Sequence, residues 1–358
     1  MIPYYILVAA PFLFSVVQFE SKARQMIDKK KNYPILIFFA IYLLLIALRS
    51  VVVGYDTPVY NDIFNQMEWT DWKSLFDPER EEKLFYFMNK FIVSLGLDFQ
   101  VLLSVAGVLT VIPLMKLYYD HSENSMVTIA IFLILPTFVM NFSGIRQGIA
   151  VSIGILAFYA VKRKKPIQFL LWVLIAIGFH RTAFMLLFMY PLYHIRFRTV
   201  HLAIFIPLYG LLLAFNKQIF SALVPLLGEK YEDRYNVIAE TGAYAIVIML
   251  ALFLLYAFIV PDESCMDPDT KGFRNFAIIA VALQLFAPIN AVAMRLNYYY
   301  LVFIPLLVPR ITNRWKTVSP FIRDVVNIIM IVFFIGYYFL VSTSKGTLGI
   351  YPYVPFWE

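Results

Sequence analysis

Long apolar runs alternate with short polar clusters along nearly the whole chain. A helix needs about 20 apolar residues to cross a hydrocarbon core, and most runs approach that length. The shorter runs are typical of spans that are tilted, broken or re-entrant. The pattern therefore predicts an all-α polytopic membrane protein, with a single transmembrane domain over residues 1–358 and twelve spans. The spans lie near residues 3–19, 34–51, 99–117, 126–142, 146–161, 166–180, 182–195, 201–218, 243–260, 274–293, 296–309 and 321–341.

Two longer polar stretches predict loops outside the membrane. Residues 54–98 form the first, and residues 216–242 form the second. Within the first loop, residues 84–96 carry apolar side chains at helical spacing with polar residues largely opposite. This spacing predicts a helix that lies in the membrane interface rather than across it. Its apolar residues are Leu84, Phe87, Met88, Phe91, Ile92 and Leu95.

Basic residues predict which side of the membrane each connection occupies. Alternate connections are rich in Lys and Arg, namely 22–31, 162–165, 196–198, 271–274 and 310–316. Such loops usually face the cytoplasm, so the two long loops and both ends of the chain are expected outside. The composition agrees, since 61% of residues are hydrophobic and 15% are charged. The net charge of +7 lies mainly in connections, so no nucleic-acid partner is implied.

Six basic residues collect at the predicted outer level. Charged side chains near apolar helices are costly, and several at one level favour a shared site. A single Arg there often only snorkels toward lipid headgroups, but several in short turns favour a function. Because guanidinium groups bind phosphate oxygens bidentately, the set predicts binding of an anionic group. The residues are Arg49, Arg146, His180, Arg181, Arg234 and Arg295.

Two acidic residues of the first outer loop are candidates for proton transfer. Asp56 sits in a turn after Gly54, and Glu82 opens the predicted interfacial helix, where the helix dipole favours a carboxylate. We place Asp56 ahead of Glu82. His180 is the third candidate, since a neutral imidazole also accepts protons. The sequence leaves open which of the three is the base.

Other chemistry lacks its usual signatures. The chain has no Walker A motif, GxSxG elbow, HExxH motif or CxxC pair, and Cys265 is its lone cysteine. The single Asp-x-Asp, at 267–269, falls in a connection on the predicted cytoplasmic side. We therefore expect no metal and no cofactor at the outer level.

The order and spacing of several short motifs resemble the EpsG family over about residues 34–305. The motifs are Arg49 followed by Gly54-Tyr55-Asp56 and Tyr60, then Glu82, IRQGIA (145–150), HRTA (180–183), and Arg295 with Tyr298–Tyr300. Five residues match the family's motif positions, namely Arg49, Asp56, Arg146, His180 and Arg295. Glu82 and Arg234 match less closely.

The resemblance implies a fold, an activity and partners. The fold is a glycosyltransferase fold of the C type (GT-C), with a long first external loop. The activity is that of a Wzy-like bacterial polymerase of exopolysaccharide, capsule or O-antigen repeat units. The implied partners are polyprenyl-diphosphate-linked oligosaccharides as donor and acceptor, the lipid bilayer of the cytoplasmic membrane, and a regulator of chain length. The active site is expected to face the exterior.

The expected site has catalytic and substrate-binding residues. The catalytic candidates are Asp56, His180 and Glu82. The substrate-binding candidates are Arg49, Arg146, Gln147, Arg181, Arg234, Arg295, Tyr60 and Tyr299. Exposed aromatic side chains, among them Tyr60, Trp69, Trp72 and Tyr298–Tyr300, are expected either to stack on sugar rings or to anchor the protein in the interface.

Two other functions fit the same pattern. One is a different GT-C transferase, such as a ligase that moves finished glycan to another acceptor. The other is a transporter or flippase of lipid-linked sugars, for which midplane charges and repeat symmetry are expected. The sequence shows neither of those transporter features.

Overall fold

The computed structural model describes residues 1–23, 32–223, 244–290, 293–342 and 349–358. It is 78% helical, and no strand occurs in these residues, so the all-α prediction is confirmed. Arg234 lies outside the described residues, and its predicted role is untested. The chain divides into two compact units. Met1–Leu187 and Val326–Glu358 form unit 1, and Phe188–Val325 forms unit 2.

Unit 1 contains nine complete α-helices in its described residues. They are α1 (Ile2–Ala23), α2 (Tyr33–Ala47), α3 (Thr57–Gln66), α4 (Lys83–Ser94), α5 (Phe99–His121), α6 (Ser125–Ile134), α7 (Pro136–Ser143), α8 (Ile145–Lys162) and α9 (Pro166–Phe179). Short 3-10 helices cover Lys73–Phe76 and Arg181–Phe188.

The α-helices described in unit 2 are shorter on average. They are α10 (Met189–His194), α11 (Leu202–Ala214), α12 (Asn216–Leu223), α13 (Tyr244–Ile259), α14 (Pro268–Gln284), α15 (Ala293–Leu301) and α16 (Ile304–Asn313). The last helix, α17 (Pro320–Tyr337), begins in unit 2 and ends in unit 1.

Three described helices are long and apolar enough to cross a membrane, and the number rises to five if each of two bent helix pairs is one span. The three are α5, α8 and Pro320–Val341. Four shorter apolar helices cover Ile2–Val16, Tyr33–Ala47, Pro166–Phe179 and Tyr244–Ile259. These helices fit a membrane protein. The count of twelve spans and the GT-C fold stay predictions.

Several runs expected to be continuous helices are broken. Residues 126–142 split into α6 and α7 with a bend of 64°, because Pro136 has no N–H to donate and keeps Leu135 extended at ψ 145°. The run 201–218 bends by 74° between α11 and α12. The expected span at 182–195 is a 3-10 helix followed by the six-residue α10. The run 296–309 is interrupted between α15 and α16.

An aromatic core holds α2, α5 and α6 together in unit 1. Phe39 of α2 lies with its ring centroid 5.4 Å from Tyr118 of α5 and 5.4 Å from Phe132 of α6. Tyr42 stacks on Phe138 of α7 at 5.2 Å. This packing fixes the end of α2, after which the predicted outer loop begins.

Within residues 54–98, the helix predicted at 84–96 exists as α4, and its place in the membrane interface stays a prediction. Its exposed face carries Leu84, Phe87 and Phe91, as the pattern predicted. Two residues differ from that pattern: Ile92 is buried, and so is Asn89, whose amide donates to the Phe85 carbonyl at 2.7 Å. Helix α4 therefore packs one face against the protein and leaves the other face exposed. Sequence analysis missed α3, although the Asp-Thr-Pro start at 56–58 is a typical helix beginning.

Candidate functional site

Glu82 precedes α4 in a left-handed backbone conformation. Its φ is 56°, which is uncommon for a residue other than glycine and persists only when the surroundings hold it. The side chain is 6% exposed and makes no capping bond to α4. The interaction with the helix start that sequence analysis expected is therefore not made by the side chain. The carboxylate reaches the ends of α8 and α9 instead.

Both oxygens of the Glu82 carboxylate accept hydrogen bonds. His180 Nδ1 donates to Oε1 at 2.5 Å, and the Arg181 backbone N–H donates to the same oxygen at 3.3 Å. The Arg146 guanidinium donates to Oε2. Burial would raise the pKa of Glu82, but the His180 hydrogen bond and the charges of His180 and Arg146 outweigh it and hold that pKa below its usual range. Glu82 is thus an ionised acceptor.

Close helix packing brings these residues together. Arg146 is the second residue of α8, and His180 follows the last residue of α9 in an extended conformation. Gly178, near that end of α9, packs against Leu84 of α4. A Cβ at Gly178 would lie 2.6 Å from the Leu84 Cδ1 atom, so only glycine allows this approach without a shift. The approach places Glu82 beside His180.

Two aromatic rings flank the Arg146 guanidinium. Its Cζ atom lies 5.4 Å from the Tyr60 ring centroid and 5.6 Å from that of Phe85. Both rings are buried, whereas the Arg146 side chain stays 27% exposed. Rings at this distance stabilise a guanidinium and fix its orientation. Tyr60 therefore contacts Arg146, and the expectation that it is exposed for sugar stacking is wrong.

His180 keeps one ring nitrogen without a partner. Its Nδ1 is bound to Glu82, while Nε2 is buried and accepts or donates no hydrogen bond within the described residues. Because the ionised Glu82 holds a proton on Nδ1, the ring has its lone pair on Nε2 whenever it is neutral. An unpaired buried polar atom costs about 1–3 kcal/mol, which a ligand hydroxyl that donates to Nε2 would recover.

Arg181 adds a second ion pair that sequence analysis missed. Its guanidinium donates to the half-exposed Glu81 carboxylate at 2.8 Å. Glu81 belongs to the acidic first loop, and no pattern distinguishes it from its neighbours. With Glu82 and Arg146, the cluster contains two carboxylates and two guanidinium groups, whose charges balance.

Asp56 lies beside this cluster. Its backbone N–H donates to Ser143 Oγ at 2.9 Å, and its carbonyl accepts the Tyr60 N–H at 3.1 Å. Ser143 ends α7 three residues before Arg146. The structure therefore brings Glu82, Arg146, His180 and Arg181 into direct contact and places Asp56 at the junction next to them. Gln147 is buried in α8.

Arg49 is not open to the surface. Its side chain is buried, with 1% of the residue exposed. Its guanidinium donates to the carbonyl of Ile46, three residues earlier in the chain. No carboxylate among the described residues pairs with it; the nearest electrostatic neighbours are the phenols of Tyr353, Tyr42 and Tyr4. Arg49 is thus held inside the protein, and both its position at the outer level of the membrane and its role in substrate binding stay predictions.

The remaining candidates lie in unit 2 or on the loop surface. Arg295 is exposed in the first turn of α15, and its role in substrate binding stays a prediction. The expected exposure of Tyr298, Tyr299 and Tyr300 is wrong, because α15 buries all three rings within the protein. Trp69 is 85% exposed, and Trp72 is also exposed, as expected.

A sequence model of the EpsG family matches residues 32–354, nearly the whole chain. No curated protein and no solved structure matches the chain significantly. The family match covers Arg49 and every residue of the cluster.

Proposed function

Because the chain belongs to the EpsG family, whose members are Wzy-like polymerases, we propose that it joins lipid-linked oligosaccharide repeat units into a longer glycan. Donor and acceptor are polyprenyl-diphosphate-linked oligosaccharides, and the product is an exopolysaccharide, capsule or O-antigen. The family and the apolar helices fit an integral protein of the inner membrane. The proposed site faces the exterior.

The observation that supports this reaction best is the hydrogen bond between Glu82 and His180. It orients the imidazole and leaves His180 Nε2 as the unpaired acceptor of the cluster. We assign His180 as the general base. Glu82 positions the ring and stabilises the imidazolium that forms, since a carboxylate on one ring nitrogen raises the basicity of the other.

In the proposed transfer, a hydroxyl oxygen of the acceptor sugar attacks the anomeric carbon of the donor and forms the new glycosidic bond. Its proton moves to His180 Nε2. The bond between the anomeric carbon and the diphosphate oxygen breaks, and the polyprenyl diphosphate leaves with the electron pair. Arg146, held by Glu82 and two rings, offsets the developing negative charge.

The other candidates have supporting roles in the proposal. Arg181 assists Arg146 in binding diphosphate oxygens, Arg295 is a substrate-binding residue of unit 2, and Asp56 binds the acceptor near the α7–α8 junction. Guanidinium groups keep their charge at every physiological pH and bind phosphate bidentately. Metal-independent transfer without a cofactor is therefore part of the proposal.

The test uses purified protein in liposomes with one lipid-linked repeat unit as the sole substrate. A polymerase yields a ladder of products. His180→Ala removes the base and should abolish the ladder, while His194→Ala, at an exposed histidine of unit 2, is the matched control and should keep it. Movement of the lipid-linked sugar across the bilayer without bond formation would instead identify a flippase. Transfer only to an added foreign acceptor would identify a ligase.

A further inference from the structure

A segment remote in sequence, residues 349–356, packs along the end of α2; we name it the strap. It pairs with residues 48–54 in an antiparallel manner, with Arg49 opposite Pro355. Three backbone hydrogen bonds join the two segments: Gly54 N–H to Gly349 O at 3.0 Å, Ser50 N–H to Val354 O at 2.8 Å, and Phe356 N–H to Leu48 O at 2.9 Å. The strap therefore fixes the backbone on both sides of Arg49.

Tyrosine hydroxyl groups secure the strap to three helices. Tyr4 of α1 donates to the Ile350 carbonyl at 2.7 Å. Tyr353 of the strap donates to the Leu45 carbonyl of α2 at 3.2 Å. The hydroxyl groups of Tyr338, which follows α17, and Tyr351 lie 2.7 Å apart. Because all these bonds involve buried or half-buried groups, the strap has one defined position on unit 1.

Residues 50–57, which we name the turn, connect the strap to the α7–α8 junction. Thr57 Oγ1 lies within hydrogen-bond distance of the Val53 and Phe142 carbonyls, at 2.8 and 3.3 Å. The Asp56 N–H donates to Ser143 Oγ at 2.9 Å. Gly54 has φ 98°, and a Cβ there would lie 2.4 Å from the Phe142 carbonyl oxygen. The turn thus rests directly on the last two residues of α7.

The junction in turn sets the position of Arg146. Ser143 is the last residue of α7, and Arg146 follows in the first turn of α8. Since an α-helix is a stiff element, a shift at its first residues moves the guanidinium relative to Glu82 and the two flanking rings. Strap, turn, junction and Arg146 form one chain of contacts within unit 1.

We propose that the strap is a positioning element of the Glu82–Arg146–His180 cluster, which acts through the turn and the α7–α8 junction. This inference rests on the proposed function. Arg49 then serves as a positioning residue clamped beneath the strap, which accounts for its burial. A misplacement of about 1 Å in a catalytic group is enough to lower a rate about 100-fold, so loosening the strap is expected to lower kcat with little effect on KM.

The test compares two truncations of the full chain in nanodiscs. Removal of residues 349–358 deletes the strap, and removal of residues 357–358 is the matched control that leaves it intact. Two readouts are measured: kcat and KM for ladder formation, and hydrogen exchange of the amides of Ser50, Gly54 and Asp56. Strap deletion should accelerate exchange at all three amides and lower kcat at least about tenfold, with KM within about twofold. The control should match wild type.

Point variants keep the test decisive if the truncated protein does not accumulate. Tyr353→Phe removes the bond to Leu45 and should lower kcat by a smaller factor. Ser143→Ala removes the bond to the Asp56 N–H and should lower kcat and accelerate exchange at Asp56, while Ser50 and Gly54 keep their exchange rates. Unchanged kcat in both variants would overturn the inference.

The exchange readout separates this inference from the proposed function. If strap deletion accelerates exchange at Ser50 and Gly54 but leaves Asp56 unchanged, the contacts are not coupled and the inference fails, whatever the activity. If wild-type protein makes no ladder, the proposed function fails, and exchange at Asp56 still decides whether the strap controls the junction.

Discussion

Two ionic clusters, one in each unit, contain similar residues in different settings. In unit 2, Arg310 donates to Asp267 at 3.2 Å and Arg314 donates to the same carboxylate. Asp267 also caps α14 by accepting the Thr270 N–H at 3.1 Å. Burial would raise the pKa of Asp267, but the Thr270 hydrogen bonds and the two guanidinium charges hold that pKa below its usual range.

The Asp267 cluster stabilises the start of α14. Asp267 has the extended backbone of an ordinary N-cap, with φ −71° and ψ 165°. The Glu82 cluster of unit 1 differs in two respects: its central residue has a strained backbone, and its histidine has an unpaired ring nitrogen. Paired charges alone therefore do not mark a functional site. Strain and an unsatisfied reactive atom distinguish the cluster of unit 1.

The largest expected effect is the loss of the base in unit 1. His180→Ala should lower the polymerisation rate by about 10²–10⁴-fold, the usual contribution of a general base. The fold should also lose about 1–3 kcal/mol of stability, because the buried Glu82 carboxylate loses its Nδ1 donor. Ladder formation per folded molecule measures the rate, and a wild-type rate per folded molecule would contradict the assignment.

The second effect concerns charge at the leaving group. Arg146→Ala should lower the rate by about 10²–10³-fold, as loss of one preorganised donor does in other enzymes. Arg146→Lys keeps the charge but loses the planar fork between the rings of Tyr60 and Phe85, so its rate should fall between those of Ala and wild type. Equal rates for Arg146→Lys and wild type would show that the planar guanidinium group has no role beyond its charge. Single-turnover rates with saturating donor provide the measurement.

In unit 2 the same kind of change should affect stability and not activity. Asp267→Ala removes the N-cap of α14 and the acceptor of two guanidinium groups, so the free energy of unfolding should fall by about 1–2 kcal/mol. The rate per folded molecule should match wild type. Denaturation in detergent measures the free energy of unfolding, and the ladder assay measures the rate. A large loss of rate in fully folded Asp267→Ala protein would contradict the distinction between the two clusters.

The smallest effect is the pH dependence of the Glu82 contribution. The folded-state pKa of Glu82 is lowered, so its carboxylate stabilises the fold fully above the ordinary carboxyl pKa of about 4.3. This contribution is lost as the pH falls through the lower folded-state pKa. The unfolding midpoints of wild type and Glu82→Gln should therefore differ at pH 6 to 7 by an amount that shrinks below about pH 4.

Glu81→Gln provides the control for that experiment. Glu81 is half-exposed and pairs with Arg181 at the surface, where ion pairs contribute about 0–1 kcal/mol. Its difference from wild type should be small at every pH. A pH-independent difference for Glu82→Gln would contradict the lowered pKa.

Local patterns predicted most of the helices and the basic residues of the site. Apolar runs gave α2, α5, α8 and α9 nearly within their bounds, and costly charges at helix ends identified Arg146 and His180. The breaks were harder to predict, because hydropathy averages over Pro136 and does not register the lost N–H that bends α6 against α7.

Long-range packing explains what the sequence did not predict. Glu82 and His180 are 98 residues apart in sequence. Their hydrogen bond depends on the close packing of Gly178 against Leu84. We place Asp56 ahead of Glu82 from the sequence, whereas the structure bonds Glu82 directly to His180 and Arg146 and joins Asp56 to the α7–α8 junction through Ser143. The strap is apolar, but it is short and interrupted by Pro352 and Pro355, so its sequence does not indicate where it packs. The burial of Tyr60 and Tyr298–Tyr300 depends on helix contacts that composition does not reveal.

Chemical rescue tests the central claim most directly, namely that His180 accepts the proton of the acceptor hydroxyl. Wild-type protein and His180→Ala are each supplied with one lipid-linked repeat unit, with and without added imidazole. The account predicts a ladder from wild type, none from His180→Ala, and a partial ladder from His180→Ala when imidazole fills the vacated position. A ladder at wild-type rate from folded His180→Ala protein without imidazole would contradict it.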